Sequence, residues 1–142
     1  MESPRTTETV TLSARTIHNP AEPRHFMRLL PVKGGVEVRA GDQTLVSSHA
    51  AIRLVEVGKD VYEPAFYFPR EDIKAPLSPV ADKRTYCPLK GHADYFEIET
   101  SVGTVTAWSY AETLPFADEL RDLIAFYPHS LTFVETRPAA ST

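Results

Sequence analysis

The 142 residues carry 15 Lys and Arg against 19 Asp and Glu, for a net charge of -4, and hydrophobic residues make up 42% of the chain. That length suits one domain with a real core, and the acidic balance argues against a surface built to neutralise nucleic-acid phosphates. One cysteine excludes an intramolecular disulfide and a multi-thiolate zinc site from a single chain, and no apolar window approaches the length of a membrane helix.

Met1 to Arg15 lacks a charged start followed by an apolar core, so a cytoplasmic protein is expected. Residues 1–31, rich in Thr, Ser, Pro and Arg, read as a partly ordered arm in which only His25 to Leu30 is apolar enough to dock. Residues 32–136 form the domain, and 137–142 are expected to be a disordered tail. Val36-Glu37-Val38-Arg39 alternates apolar with charged, Gly41-Asp42 supplies a turn, and Thr44-Leu45-Val46 completes a hairpin. Ala51 to Val57 is a further strand, and Ala65 to Phe68 resumes the extended pattern.

Pro69, Pro76 and Pro79 then predict a loop as far as Thr85, because each lacks an amide donor. His92 to Thr100 and Thr104 to Tyr110 are bulky enough for a second hairpin across Ser101-Val102-Gly103. Phe116, Leu120, Leu123, Ile124 and Tyr127 recur at helical spacing between Pro115 and Pro128, which predicts one helix near the C-terminus. Leu131 to Val134 gives a last strand. The expected fold is mainly β, antiparallel, with that helix covering one face.

Chemistry concentrates in two stretches. In Phe66-Tyr67-Phe68-Pro69-Arg70-Glu71-Asp72, alternation sends Phe66 and Phe68 inward and Tyr67 toward a site. Arg70 suits a carboxylate or phosphate, with Asp72 orienting it or acting as a base, unless the two tie the proline-rich loop to the sheet. In Tyr86-Cys87-Pro88-Leu89-Lys90-Gly91, Lys90 is placed to lower the thiol pKa of Cys87, the alternative being a small buried hydrophobe. Gly91 permits a tight turn from which Lys90 projects. Tyr95, Trp108 and Tyr110 can wall a planar ligand or simply fill a core. The five histidines His18, His25, His49, His92 and His129 show no metal-ligand spacing, so neither a metal nor another cofactor is expected.

The runs PAFYFPREDI and TYCPLKGHADYFEI, with AWSY and FADELRDLIAFYP after them, resemble the bacterial and fungal family of domain of unknown function 427 from about Val36 to Glu135. The resemblance implies a β-tent-like fold and marks Tyr67, Pro69, Arg70, Asp72, Cys87, Pro88, Lys90, Gly91, Tyr95, Trp108, Tyr110 and Tyr127 as motif positions. The chain departs from the family's pattern at His92, where relatives carry an acidic residue. Zinc held by paired Cys-x-x-Cys motifs in other β-tent proteins is not implied, because Cys87 stands alone.

Three functional classes follow. The first is a small-molecule-binding domain, monomeric or homodimeric, that engages neither nucleic acid nor membrane. Its groove, walled by Tyr67, Tyr95, Trp108 and Tyr110 and charged by Arg70, Asp72 and Lys90, would take a planar or anionic ligand. The second is an enzyme, either with Cys87 as nucleophile or a metal-dependent nucleotidyl transferase, a label the family carries, using Glu71, Asp72 and Asp94. The third is a noncatalytic interaction module.

Overall fold

The computed structural model describes residues 15–137. Among the described residues, eleven strands make up three antiparallel sheets. The first has the order β1-β2-β5-β6, from Ile17–Asn19, Glu22–Pro31, Ile52–Val57 and Ala65–Tyr67. The second runs β10-β9-β8-β7, from Ile124–Phe126, Gly103–Thr113, Gly91–Thr100 and Ser78–Cys87. The third is β11-β3-β4, from Thr132–Thr136, Gly35–Ala40 and Gln43–Ser48. The mainly β, antiparallel expectation holds. Residues 1–14 and 138–142, where a poorly ordered start and tail were expected, lie outside the described residues.

The hairpin β3–β4 follows directly from its alternation. Val36, Val38 and Ala40 are fully buried, whereas the Arg39 guanidinium turns back to the Glu37 carboxylate at 2.5 Å. Glu22–Pro31, within the span read as an arm, is a full strand: Met27 lies opposite Glu56 and Leu29 opposite Leu54 on β5.

The helix near the C-terminus is absent. Pro115–Leu120 forms a short 3₁₀ turn, Asp122 sits at φ 62°, and Ile124–Phe126 is a strand whose three residues are all buried. The amide and carbonyl of Ile124 exchange 2.8 Å hydrogen bonds with those of Phe68, while β10 also pairs with β9. A strand buried on both faces shows no alternation, and its apolar run matches helical spacing by coincidence.

The proline-rich stretch is likewise partly a strand. β7 is the outermost strand of its sheet, and its pairing with β8 shifts register between Pro79 and Arg84, around Asp82 at φ 60°. An edge strand with a bulge tolerates prolines because their missing donors face outward.

Two buried clusters hold the sheets together. One gathers Val36, Val38, Leu45, Val46, Phe68, Phe96, Ile98 and Ile124. The other gathers Met27, Leu54, Tyr67, Leu89, Tyr95, Tyr110 and Leu120. Alternation along β6 divides the aromatic stretch between them: Phe66 and Phe68 belong with the first and Tyr67 with the second. No helix among the described residues is long and apolar enough to cross a membrane.

Candidate functional site

Beside the second cluster opens a cavity of about 740 Å³. Its walls come from all three sheets: Ala65 to Tyr67 from β6, Tyr95 from β8, Trp108 and Tyr110 from β9, Phe126 from β10 and Phe133 from β11. Register puts Tyr95 directly across from Trp108, and period-two alternation returns Tyr110 to the face of Trp108. The Trp108 indole N–H donates to the Tyr67 hydroxyl at 3.0 Å, and the two rings meet edge to face with centroids 6.3 Å apart. Tyr127 tilts against Trp108 from the rim, at 4.9 Å.

At the polar end sits a chain of three polar side chains, Lys90, Glu56 and His25. Lys90, only 7% exposed, donates from Nζ to Glu56 Oε1 at 2.5 Å, and the second Glu56 oxygen lies 2.7 Å from His25 Nε2. Burying an ammonium or a carboxylate alone would be severely unfavourable; pairing them makes the site tenable. The chain positions Lys90 through its backbone. Its amide donates to the Cys87 carbonyl at 3.2 Å, its carbonyl accepts from the Leu114 amide at 2.9 Å, and Gly91 follows at φ 122°. A side chain at Gly91 would place Cβ 2.2 Å from the Glu112 carbonyl oxygen, so only glycine fits. The Lys90 ammonium also lies 5.8 Å from the centre of the Tyr110 ring, within cation–π range.

Burial pushes the phenols of Tyr67 and Tyr110 well above their ordinary value near 10, so both present protonated hydroxyls. The Tyr95 hydroxyl pairs with Thr85 Oγ1 at 2.8 Å, and Lys83 Nζ covers that ring at 4.3 Å.

The residues singled out from the sequence separate into two groups. Tyr67, Lys90, Tyr95, Trp108 and Tyr110 line one cavity. Arg70, Asp72 and Cys87 are not among its walls. Arg70 is exposed, with its guanidinium 5.0 Å from the centre of the Phe96 ring. Since Tyr95 and Phe96 point to opposite faces of β8, Arg70 lies across that strand from the cavity. Asp72 accepts from the Ser48 hydroxyl at 2.6 Å and so anchors the 3₁₀ turn Arg70–Asp72 to β4. Cys87 is partly buried against the second cluster. The carboxylates considered for a divalent cation are dispersed: Asp94 pairs with Arg84 at 3.4 Å, and among the described residues no three His, Cys, Asp or Glu side chains gather as a metal site.

A family model described as a domain of unknown function (DUF427) matches residues 28–137. The chain belongs to the DUF427 family. No curated protein matches it. Within this DUF427 chain the matched span holds every wall of the cavity together with Glu56 and Lys90, whereas His25 lies just ahead of it.

Sequence reasoning missed Glu56 and His25. Their signals were present but weak. Glu56 shares strand parity with Ile52 and Leu54, which makes it a carboxylate at an inward position. His25 stands two residues before Met27, the register partner of Glu56, and is therefore its diagonal neighbour.

Proposed function

We propose that this domain binds a small planar ligand in the aromatic cavity, with the Lys90–Glu56 pair fixing its orientation. The observation that carries the reading is the pairing of aromatic walls with a single buried ionic pair in a space of about 740 Å³. Largely apolar clefts with a few convergent polar groups are the usual form of small-molecule sites. Trp108 and Tyr67 already brace each other, so the wall is organised before a ligand arrives.

The polarity of the floor narrows the chemistry. Glu56 balances the Lys90 charge, and one ammonium N–H is spent on it, which leaves two N–H donors for acceptor atoms on a ligand. The Tyr110 hydroxyl has no hydrogen-bond partner among the described residues and adds a protonated donor. A planar group edged with carbonyl or ring-nitrogen acceptors matches this set. The meeting of three antiparallel sheets at the cavity also supports the β-tent-like architecture.

Position favours binding over thiol catalysis, since Cys87 is not a wall of this cavity. The test is a thermal-shift panel of nucleotides, cyclic imides and aromatic acids against the protein and its Trp108→Ala variant. A ligand at a hundred times its Kd stabilises the native state by about 2.7 kcal/mol, a shift of several degrees. A hit that survives in Cys87→Ser and is lost in Trp108→Ala is expected. Hits that persist undiminished without the indole, or no hit at millimolar concentration, would refute the reading.

A further inference from the structure

A second cavity of about 510 Å³ adjoins the first and is lined by Glu22, Arg24, His25, Lys59, Tyr62 and Pro88, with Gly58 at its edge. Tyr62, 42% exposed, walls both cavities, and the 2.7 Å contact of His25 with Glu56 joins a wall of one to a wall of the other. Gly58 lets Tyr62 and His25 approach closely. A Cβ there would come within 3.0 Å of the Tyr62 ring and hydroxyl and 3.2 Å of His25 Cδ2.

The charges of this second space differ in kind from those of the first. Lys90 and Glu56 satisfy each other, but the Arg24 guanidinium and the Lys59 ammonium take no carboxylate among the described residues. The one acid on the wall, Glu22, turns its carboxylate to the Arg24 backbone amide at 3.0 Å. An excess of positive charge therefore lines a cleft in a chain whose net charge is -4. Two unengaged cations converging on a concavity suit an anion, the guanidinium by a forked pair of hydrogen bonds and the ammonium as a point charge.

We infer that the ligand is a planar group bearing an anionic arm, a carboxylate or phosphate, with the planar part in the aromatic cavity and the arm passing Tyr62 to reach Arg24 and Lys59. This rests on the aromatic cavity being the binding site. It adds a ligand class and two specificity-determining residues, both of which lie outside the aromatic walls. Arg24 also precedes the span matched by the family model, so part of the second subsite lies outside that span.

The experiment is calorimetric titration with three quinoline probes, each with a ring-nitrogen acceptor and its terminal oxygens four atoms from the ring: 3-(quinolin-6-yl)propan-1-ol, 3-(quinolin-6-yl)propionate and quinolin-6-ylmethyl phosphate. They are compared on the native protein and on Arg24→Ala/Lys59→Ala, whose changed side chains are exposed and leave the core intact. The anionic probes should bind about ten- to a hundredfold more tightly than the alcohol, the yield of a charge-assisted hydrogen bond. That advantage should vanish in the double variant and shrink with added salt. Phosphate preferred over carboxylate, or the reverse, identifies the arm. If all three probes bind with equal affinity, or the anionic advantage survives the double substitution, the second subsite is refuted while the aromatic cavity stands. If none binds, the reading of the aromatic cavity fails and this inference falls with it.

Discussion

Replacing Lys90 with methionine tests whether the ionic floor is held as described. The substitution keeps the length and apolar stem of the side chain and removes the ammonium, so it leaves Glu56 buried beside a thioether. Both partners are nearly enclosed, with side chains 8% and 11% exposed. Stripping one partner from a buried pair costs about 3 to 5 kcal/mol when the survivor has no other contact. Here Glu56 keeps His25 at 2.7 Å and borders a cavity large enough for water, which lowers the expected loss to about 2 to 4 kcal/mol. With an unfolding entropy of about 2 cal/mol/K per residue, that corresponds to a fall in Tm of about 7 to 13 °C. Urea denaturation followed by circular dichroism measures the change, and adding Glu56→Gln to Lys90→Met should recover about 1 to 3 kcal/mol, because no uncompensated charge then remains. A loss below about 0.5 kcal/mol for Lys90→Met, or strict additivity in the double variant, would mean that the ammonium and carboxylate are not engaged.

Three further outcomes are expected. The phenols of Tyr67 and Tyr110 are raised by burial, so the stability they contribute is complete below pH 10 and is lost above it, as the unfolded chain ionises while the folded one does not; each contributes up to about 1.4 kcal/mol per pH unit. Denaturation midpoints at pH 9, 10 and 11 should therefore fall less steeply in Tyr67→Phe, and an unchanged slope would contradict its burial as a neutral phenol. Gly91→Ala should cost about 3 kcal/mol or more, whereas Gly103→Ala, with a similar φ of 118° but nothing within 4 Å of a new Cβ, should cost about 1 kcal/mol; equal losses by urea titration would refute the close approach to Glu112. Cys87→Ser should leave ligand affinity unchanged in calorimetry, and a tenfold loss would bring the thiol back to the site.

The strands that the sequence reveals are those with one face in a core and one in solvent. β3 shows this best, because Glu37 and Arg39 interrupt Val36, Val38 and Ala40 at every second position. Two of the misread segments violate that condition in opposite ways. β10 is buried on both faces, so Leu123 to Phe126 presents an unbroken apolar run that pairing with β9 and the exchange with Phe68 make extended. β7 is nearly all exposed and carries Pro79, so neither periodicity nor propensity marks it, and its existence depends on β8 offering a partner edge. In both cases tertiary pairing overrides local preference, and local pattern is all that one sequence displays.

The same distinction governs the site. The shared face of Trp108 and Tyr110 was legible because alternation along β9 is a local property, whereas Phe66, expected away from the site, lines the cavity beside Tyr67. Arg70 and Asp72 were misplaced because proximity to Tyr67 in sequence was taken for proximity in space, although the turn after Pro69 carries them toward Phe96 and Ser48. Glu56 and His25 were missed because their meeting depends on the register between β2 and β5. Lys90 nevertheless carried a usable clue. An inward lysine fixed ahead of an obligatory glycine needs a buried acid, and an inward glutamate flanked by apolar residues needs a buried base. Each of these demands is unmet by its own neighbours and met by the other residue. A well-packed apolar pair at the same positions would serve stability as well or better, since desolvation offsets most of the attraction in a buried ion pair. Its presence beside a largely apolar cavity is therefore poorly explained by folding alone and is consistent with the proposal of a ligand that uses the donors left over.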